Sequence, residues 1–254
     1  MEGDGTITVD LSNKLEKRKT ARIRIIISLL NHKENFYMLN KIKDYIGGRV
    51  AIERKDKYIT WIANSKLDVI KVLLILTKYP LLTVKKQCQL DFAKKCMWKK
   101  DLNLSQFIID RNNKYNNKDS MLQMLVAKNN IEDIPSYFPA WLSGFIEAEG
   151  NFNLFFNENN ILRHSKFSIG QNDEIHILNW IKLYFKSNNA IIKDKVINKN
   201  NYQYYRFYLY NKESRILIFE HFDKYPLLGY KNISYKKFYD YHNKNNISIK
   251  KNIS

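Results

Sequence analysis

The chain has 254 residues, a formal net charge of +18 and 44% apolar residues, enough for the core of one large domain or two small ones. Lys and Arg in such excess favour a polyanionic partner, nucleic acid ahead of an anionic membrane surface, and no membrane-length apolar run or secretory leader points to a membrane or secreted protein. Cys88 and Cys96 and five scattered histidines make no zinc or disulfide spacing, which disfavours a transition-metal hydrolase.

Residues 6 to 11 alternate as a half-buried strand does, with Ile7, Val9 and Leu11 on one face. Residues 21 to 28 repeat the pattern, Ile23, Ile25 and Ile27 inward and Arg22, Arg24 and Ser28 outward. Helical spacing then runs from 34 to 45 and stops at Gly47 and Gly48. Residues 50 to 54 and 57 to 62 read as a hairpin. Ser65 caps a helix carried through Val69, Val72, Leu73 and Leu76 to Tyr79 and Pro80, and residues 84 to 98 form another. Residues 100 to 135, rich in Asn and Lys, read as a linker with one helical piece at 120 to 127.

The next helix, 136 to 149, starts with Pro139 in its first turn and has Leu142, Phe145 and Ile146 at helical spacing. Ser143, Gly144 and Ala148 leave a smooth strip for close approach of another helix. Glu147, Glu149 and Gly150 crowd its C-terminal end, where the helix dipole disfavours negative charge, so a divalent cation is the natural partner. Strands at 151 to 157 and 165 to 171, a helix at 173 to 185, strands at 190 to 196 and 202 to 210, and helices at 213 to 222 and 230 to 242 follow. A basic, Asn-rich tail over 243 to 254 is expected to fray.

The chain repeats itself. Met1-Glu-Gly-Asp-Gly5 lines up with Ile146-Glu-Ala-Glu-Gly150, and Lys78-Tyr-Pro-Leu-Leu82 returns 146 positions later as Lys224-Tyr-Pro-Leu-Leu228. Two such units related by a pseudo-twofold axis would bring Asp4 and Glu149 together, and two like charges held together call for a cation. Carboxylates sharing divalent ions suit in-line phosphodiester hydrolysis, and a twofold protein offers one carboxylate to each antiparallel DNA strand.

Leu142-Ser-Gly-Phe-Ile-Glu-Ala-Glu-Gly150, preceded by Tyr137-Phe-Pro-Ala-Trp141, resembles the signature of the LAGLIDADG homing endonucleases in their monomeric two-repeat form. The resemblance implies an α+β fold of two pseudo-twofold αββαββα repeats, at residues 1 to 99 and 136 to 242. Each repeat is expected to form an antiparallel DNA-binding saddle with helices behind. Met1 falls inside the first motif, so the first helix is expected to be truncated, which would expose apolar surface and weaken solubility and cleavage. The resemblance further implies that Asp4 and Glu149 bind Mg2+, with the carbonyls of Gly3 and Ala148 as ligands. By the same resemblance Lys85 and Lys231 polarise the scissile phosphates, and Gln171, with His32 as its aligned counterpart, holds solvent. Glu2 and Glu147 take a capping or structural role.

Outward sheet residues would read double-stranded DNA in the major groove, the candidates being Arg22, Arg24, Arg49, Asn151, Asn153, Arg163, Lys166 and Arg206. Tyr202, Tyr204, Tyr208 and Tyr210 share a face with Arg206, either stacking on RNA bases or covering the sheet. Two other functions stay open: a maturase that binds its host intron RNA, with or without cleavage, and a catalytically dead DNA-binding remnant. The Lys, Asn, Ile and Tyr bias of an AT-rich genome, with the family's habits, suggests a mitochondrion.

Overall fold

The computed structural model describes residues 2–12, 20–99, 102–194 and 202–251, and the chain divides into two compact units, Met1–Ala127 and Lys128–Ser254. Met1 of the opening motif, residues 100 and 101 of the expected linker, 195 and 196 of the expected strand and 252–254 of the tail lie outside the described residues.

In the first unit β1 (Gly5–Ser12) pairs antiparallel with β2 (Thr20–Leu30), Gly5 opposite Ile27. Then come α1 (Lys33–Ile46), β3 (Arg49–Glu53), β4 (Tyr58–Ala63), α2 (Lys66–Lys78) and α3 (Val84–Trp98). The strand order is β1-β2-β4-β3. Alternation does the sorting: Ile7, Val9, Ile23, Ile25, Ile59 and Trp61 face inward, where Leu39, Val69, Leu73, Leu90 and Phe92 from the helices bury with them. Each such side chain contributes roughly 1.5–3 kcal/mol on leaving water. Gly47, at φ +98, ends α1 in a backbone conformation that a side chain would strain, and its carbonyl accepts the Trp61 Nε1–H at 2.9 Å. The Ser65 hydroxyl accepts the Asp68 N–H at 3.1 Å and so starts α2.

The second unit repeats the plan. Its elements are α6 (Phe138–Glu149), β5 (Asn151–Phe156), β6 (Leu162–Asn172), α7 (Ile175–Tyr184), β7 (Ile192–Lys193), β8 (Tyr204–Leu209), α8 (Lys212–Lys224) and α9 (Lys231–Lys251), with strand order β5-β6-β8-β7. Here the core is aromatic: the Phe152 ring lies 5.1 Å from Phe167 and 5.7 Å from Phe238. Two antiparallel four-stranded sheets, each covered by helices, are the α+β fold expected from the sequence.

Three expectations need correction. The stretch 100–135 holds, besides the helical piece expected at 120 to 127 and present as α5 (Lys118–Ala127), a further helix, α4 (Leu104–Asn113), and a 3-10 turn at Ile131–Asp133. Asn103 caps α4 by accepting the Ser105 N–H at 2.9 Å, and Phe107 is buried beside Phe92 at 5.6 Å. A polar stretch with one well-placed cap and one aromatic anchor is therefore enough for a helix. The final helix is assigned to Lys251, past the end expected at 242. Tyr202 and Tyr210 fall outside β8. Among the described residues no helix is long and apolar enough to cross a membrane.

Candidate active site

Helix α6 is built to hold its own C-terminus in place. Phe138, Leu142, Phe145 and Ile146 are buried, and Phe138 packs edge-on against Trp180 at 6.1 Å. Ser143 does not join the smooth strip expected of it. Its hydroxyl donates to the Tyr225 carbonyl at 2.6 Å and lies 3.0 Å from His221 Nε2, while His221 Nδ1 lies 3.0 Å from the Tyr184 hydroxyl. Because the serine hydrogen goes to the carbonyl, Nε2 carries the ring hydrogen and Nδ1 accepts from Tyr184. Burial pushes the His221 pKa down to about 4, which keeps the ring neutral in this chain of bonds.

The two acids at the end of α6 have separate tasks. Glu147 accepts the N–H of Gly229 at 3.1 Å and of Lys231 at 2.9 Å, at the start of α9. Burial raises its pKa, while the N–H groups of Gly229, Lys231 and Leu228 and the Lys231 charge pull against it. Glu2 does the same for α3, accepting the N–H of Leu82 and of Thr83 at 2.6 Å each. Thr83 and Gly229 stand 146 positions apart, the spacing of the two Lys-Tyr-Pro-Leu-Leu blocks. A carboxylate at a helix N-terminus satisfies orphan donors and favours the dipole. This is the structural role expected of Glu2 and Glu147.

Two residues on from Glu147, Glu149 is half-buried and opens on a cleft of about 400 Å3 over the outer face of β5, β6 and β8. Gly150 makes that exit possible by close approach: a Cβ there would lie 2.5 Å from Ile146 Cγ2 and 2.8 Å from the Ile146 carbonyl oxygen. The carbonyl of Ala148 belongs to the last helical turn, whose C=O groups have no partner within the helix. In the first unit residues 2–4 form a turn leading into β1, with Gly3 half-buried and Asp4 exposed. Lys86, to which no motif points beside Lys85, donates from Nζ to the Gly5 carbonyl. Lys85 is exposed in the first turn of α3, and Lys231, half-buried, opens α9.

Gln171 is the next-to-last residue of β6, opposite Tyr205. The place it occupies in the first sheet belongs to Leu29, opposite Ile59, and not to His32, which is the N-cap of α1. Helix α1 has 14 residues and α7 has 10. Counting back from the matched Leu39 and Leu178 therefore overshoots the strand by most of a turn.

The base-reading candidates divide by geometry. Arg22, Arg24 and Arg49 lie on the outer face of the first sheet, where Arg24 Nη2 is 2.6 Å from Asp10 Oδ2. Asn151, Asn153, Lys166 and Arg206 line the cleft with Glu149. Lys166 Nζ lies 4.8 Å from the Tyr208 ring and 5.3 Å from Phe155, and the Arg206 guanidinium 5.4 Å from Tyr204. Arg163 is exposed at the bulge where the β5–β6 register shifts, apart from the cleft. Tyr204 and Tyr208 thus carry cations on their rings and cover the sheet.

Among the described residues no three His, Cys, Asp or Glu side chains cluster as a metal cage. What the motifs offer is Asp4 exposed in one unit and Glu149 lining its cleft in the other, each with an adjacent backbone carbonyl, an all-oxygen donor set of the kind hard divalent cations take.

A family profile described as LAGLIDADG endonuclease matches residues 1–96 and 142–242. The chain is 32% identical over 267 residues to "Probable intron-encoded endonuclease aI3" of Debaryomyces hansenii, covering 94% of this chain and 36% of that protein. It is 34% identical over 242 residues to the protein of that name from Dictyostelium citrinum, covering 94% and 90%. The chain therefore spans about a third of the first relative's length and nearly all of the second's. Among solved structures it resembles the LAGLIDADG homing endonuclease I-GzeII in complex with its DNA target, at TM-score 0.69 and 18% identity over 94% of this chain and 86% of that one. The meganuclease I-CpaMI bound to uncleaved DNA gives TM-score 0.67 and 21% identity over 94% and 87%.

Proposed function

Because the chain belongs to the LAGLIDADG endonuclease family, we propose that it is a site-specific endonuclease that cuts both strands of a long asymmetric DNA target and promotes the mobility of its intron. The observation that carries this reading is the division of labour in the duplicated motif. Glu2 and Glu147 are spent on helix N-termini, while Glu149 opens on a sheet face dressed with Asn, Lys and Arg and Asp4 stands exposed in the turn before β1.

The reaction is hydrolysis: a water oxygen bonds to phosphorus, an ester P–O bond breaks, and the leaving oxygen takes a proton. Asp4 and Glu149, with the carbonyls of Gly3 and Ala148, would hold divalent ions, Mg2+ first, which when bound supply water activation and charge stabilisation at the leaving oxygen. Lys85 and Lys231 neutralise the phosphates as charge builds on them. For Lys231 the support is its own N–H on Glu147, which ties the start of α9 to the motif. Gln171 orients solvent from the end of β6. Arg22, Arg24, Arg49, Asn151, Asn153, Lys166 and Arg206 face the major groove, and Arg163 at its bulge reaches a flanking phosphate. The chain acts as a monomer, since it carries both motif copies itself. The intron-encoded relatives and the AT-rich residue bias support a mitochondrial location.

The test is incubation of the purified protein with duplex DNA spanning the uninterrupted host-gene junction, with magnesium and with chelator. Double-strand cleavage at one position that needs magnesium supports the reading. Binding with no cleavage in any divalent ion contradicts it.

A further inference from the structure

The two sheets place different chemistry beside their motif acids. Asn151 pairs with Ser168, so the same register carries Glu149 opposite Gly170, which pairs with Arg206. In the first unit Gly5 pairs with Ile27, which carries Asp4 opposite Ser28, and Ser28 pairs with Thr60. The two rows correspond strand by strand. The row of Asp4 presents two hydroxyls, bonded to each other at 3.0 Å, with Glu53 accepting from Thr60 at 3.3 Å. The row of Glu149 presents a glycine and a guanidinium, with Asp194 in the position of Glu53 accepting from Arg206 Nη2 at 2.7 Å.

Arg206 is fixed more firmly than an ordinary surface arginine. Asp194 takes one edge of its fork, the Tyr204 ring lies under its plane at 5.4 Å, and a Cβ on Gly170 would collide with the Tyr204 hydroxyl. Glycine thus makes room for the ring that backs the arginine. The Tyr208 hydroxyl bonds the guanidinium as well, and the group so held lines the cleft it shares with Glu149. A planar guanidinium already held in place loses little freedom on meeting a phosphate and bonds it by two parallel donors. Nothing of that kind stands in the row of Asp4.

We propose that Arg206 contacts the phosphate processed beside Glu149, with Asp194 and Tyr204 as positioning residues, and that the two DNA strands are consequently cut at unequal rates. This rests on the endonuclease reading. Arg206 donates hydrogen bonds to non-bridging oxygens and transfers no proton, so it adds no step to the hydrolysis. The advantage is confined to one strand because the row of Asp4 offers hydroxyls where the row of Glu149 offers a fixed guanidinium, and the ammonium beside Asp4, that of Lys86, is engaged by the Gly5 carbonyl.

The experiment follows each strand separately, using differently labelled ends of a cleavable target and a supercoiled plasmid carrying it. Wild-type protein should pass through a nicked intermediate broken in one strand. Arg206→Met should slow that strand by at least about tenfold and leave the other near its wild-type rate. Arg206→Lys should recover part of the loss, and Asp194→Asn should slow the same strand by less than Arg206→Met does. A merely structural role would slow both strands together and would not separate Lys from Met. Equal strand rates in the wild type, or equal slowing of both strands by Arg206→Met, would overturn the inference while leaving the endonuclease reading intact. A wild-type protein that cuts no DNA would remove the reading and the inference with it.

Discussion

The Glu147 carboxylate accepts the backbone N–H of Lys231 at 2.9 Å, so the motif at the end of one helix is tied to the first residue of another. Glu2 reproduces the tie in the first unit through Leu82 and Thr83. Two acids separated by one residue in each motif should therefore fail in different ways. Glu147→Ala leaves N–H groups at the start of α9 without their acceptor, a loss of about 1–3 kcal/mol. Thermal unfolding should show a lower midpoint for Glu147→Ala and an unchanged one for Glu149→Gln. Matching midpoints for the two variants would refute the division of labour.

The Ser143–His221–Tyr184 chain predicts a pH dependence with a definite sign. His221 is 3% exposed and its pKa is lowered from 6.5 to about 4. Below pH 6.5 the unfolded chain takes up a proton that the folded ring refuses. The stability this group contributes is thus complete above pH 6.5 and is lost as the pH falls toward 4, by up to about 3 kcal/mol. His242, lowered to about 4 as well, acts in the same direction. Denaturant unfolding of the wild type across that window should fall steeply, and His221→Gln should flatten the slope by about one proton. An undiminished slope in the variant would show that the ring is not held neutral by this fold.

Gly150→Ala tests the exit from α6. Its Cβ would meet the Ile146 side chain at 2.5 Å and the Ile146 carbonyl oxygen at 2.8 Å, and the second of these is backbone that cannot rotate away. The junction should shift and move Glu149 with it, lowering cleavage by about tenfold or more and stability by about 1–3 kcal/mol. Activity at the wild-type level would mean that the geometry of this turn is not what presents Glu149.

How legible this was in the sequence varies with the physics involved. Strands such as β2, with isoleucines at every second position, follow from alternation alone, and α2 from its Ser65 cap and the glycines that close α1 before it. The acids of the motif stood out because a helix C-terminus is a poor place for them. What failed depended on partners distant in sequence. Ser143 looked like part of a smooth strip until His221 and Tyr225 claimed its hydroxyl. Alignment on Leu39 and Leu178 makes His32 the counterpart of Gln171 because α1 begins nearly a turn earlier than α7 relative to those leucines, which periodicity does not reveal. Lys86 and Asp194 carry no signal: Lys86 acquires its role when α3 packs beside β1 and reaches Gly5, and Asp194 when the sheet register brings it to Arg206.

The net charge of +18 predicts a salt-dependent DNA affinity. If six to ten phosphates are neutralised along the two sheet faces, log K should fall with log salt at a slope of about −5 to −9. Titrations at several salt concentrations, made in calcium to prevent turnover, would measure it. Arg22→Gln should make the slope shallower by about one if that residue meets a phosphate, whereas a base contact would change sequence preference instead.

The most direct measurement is strand cleavage of the cognate junction in magnesium by Asp4→Asn and Glu149→Gln proteins whose thermal midpoints match the wild type. Each substitution should lower double-strand cleavage by at least about 100-fold while leaving DNA binding in calcium within about threefold of wild type. Wild-type cleavage by either variant would contradict the assignment of Asp4 and Glu149 as the acids at the centre of the reaction.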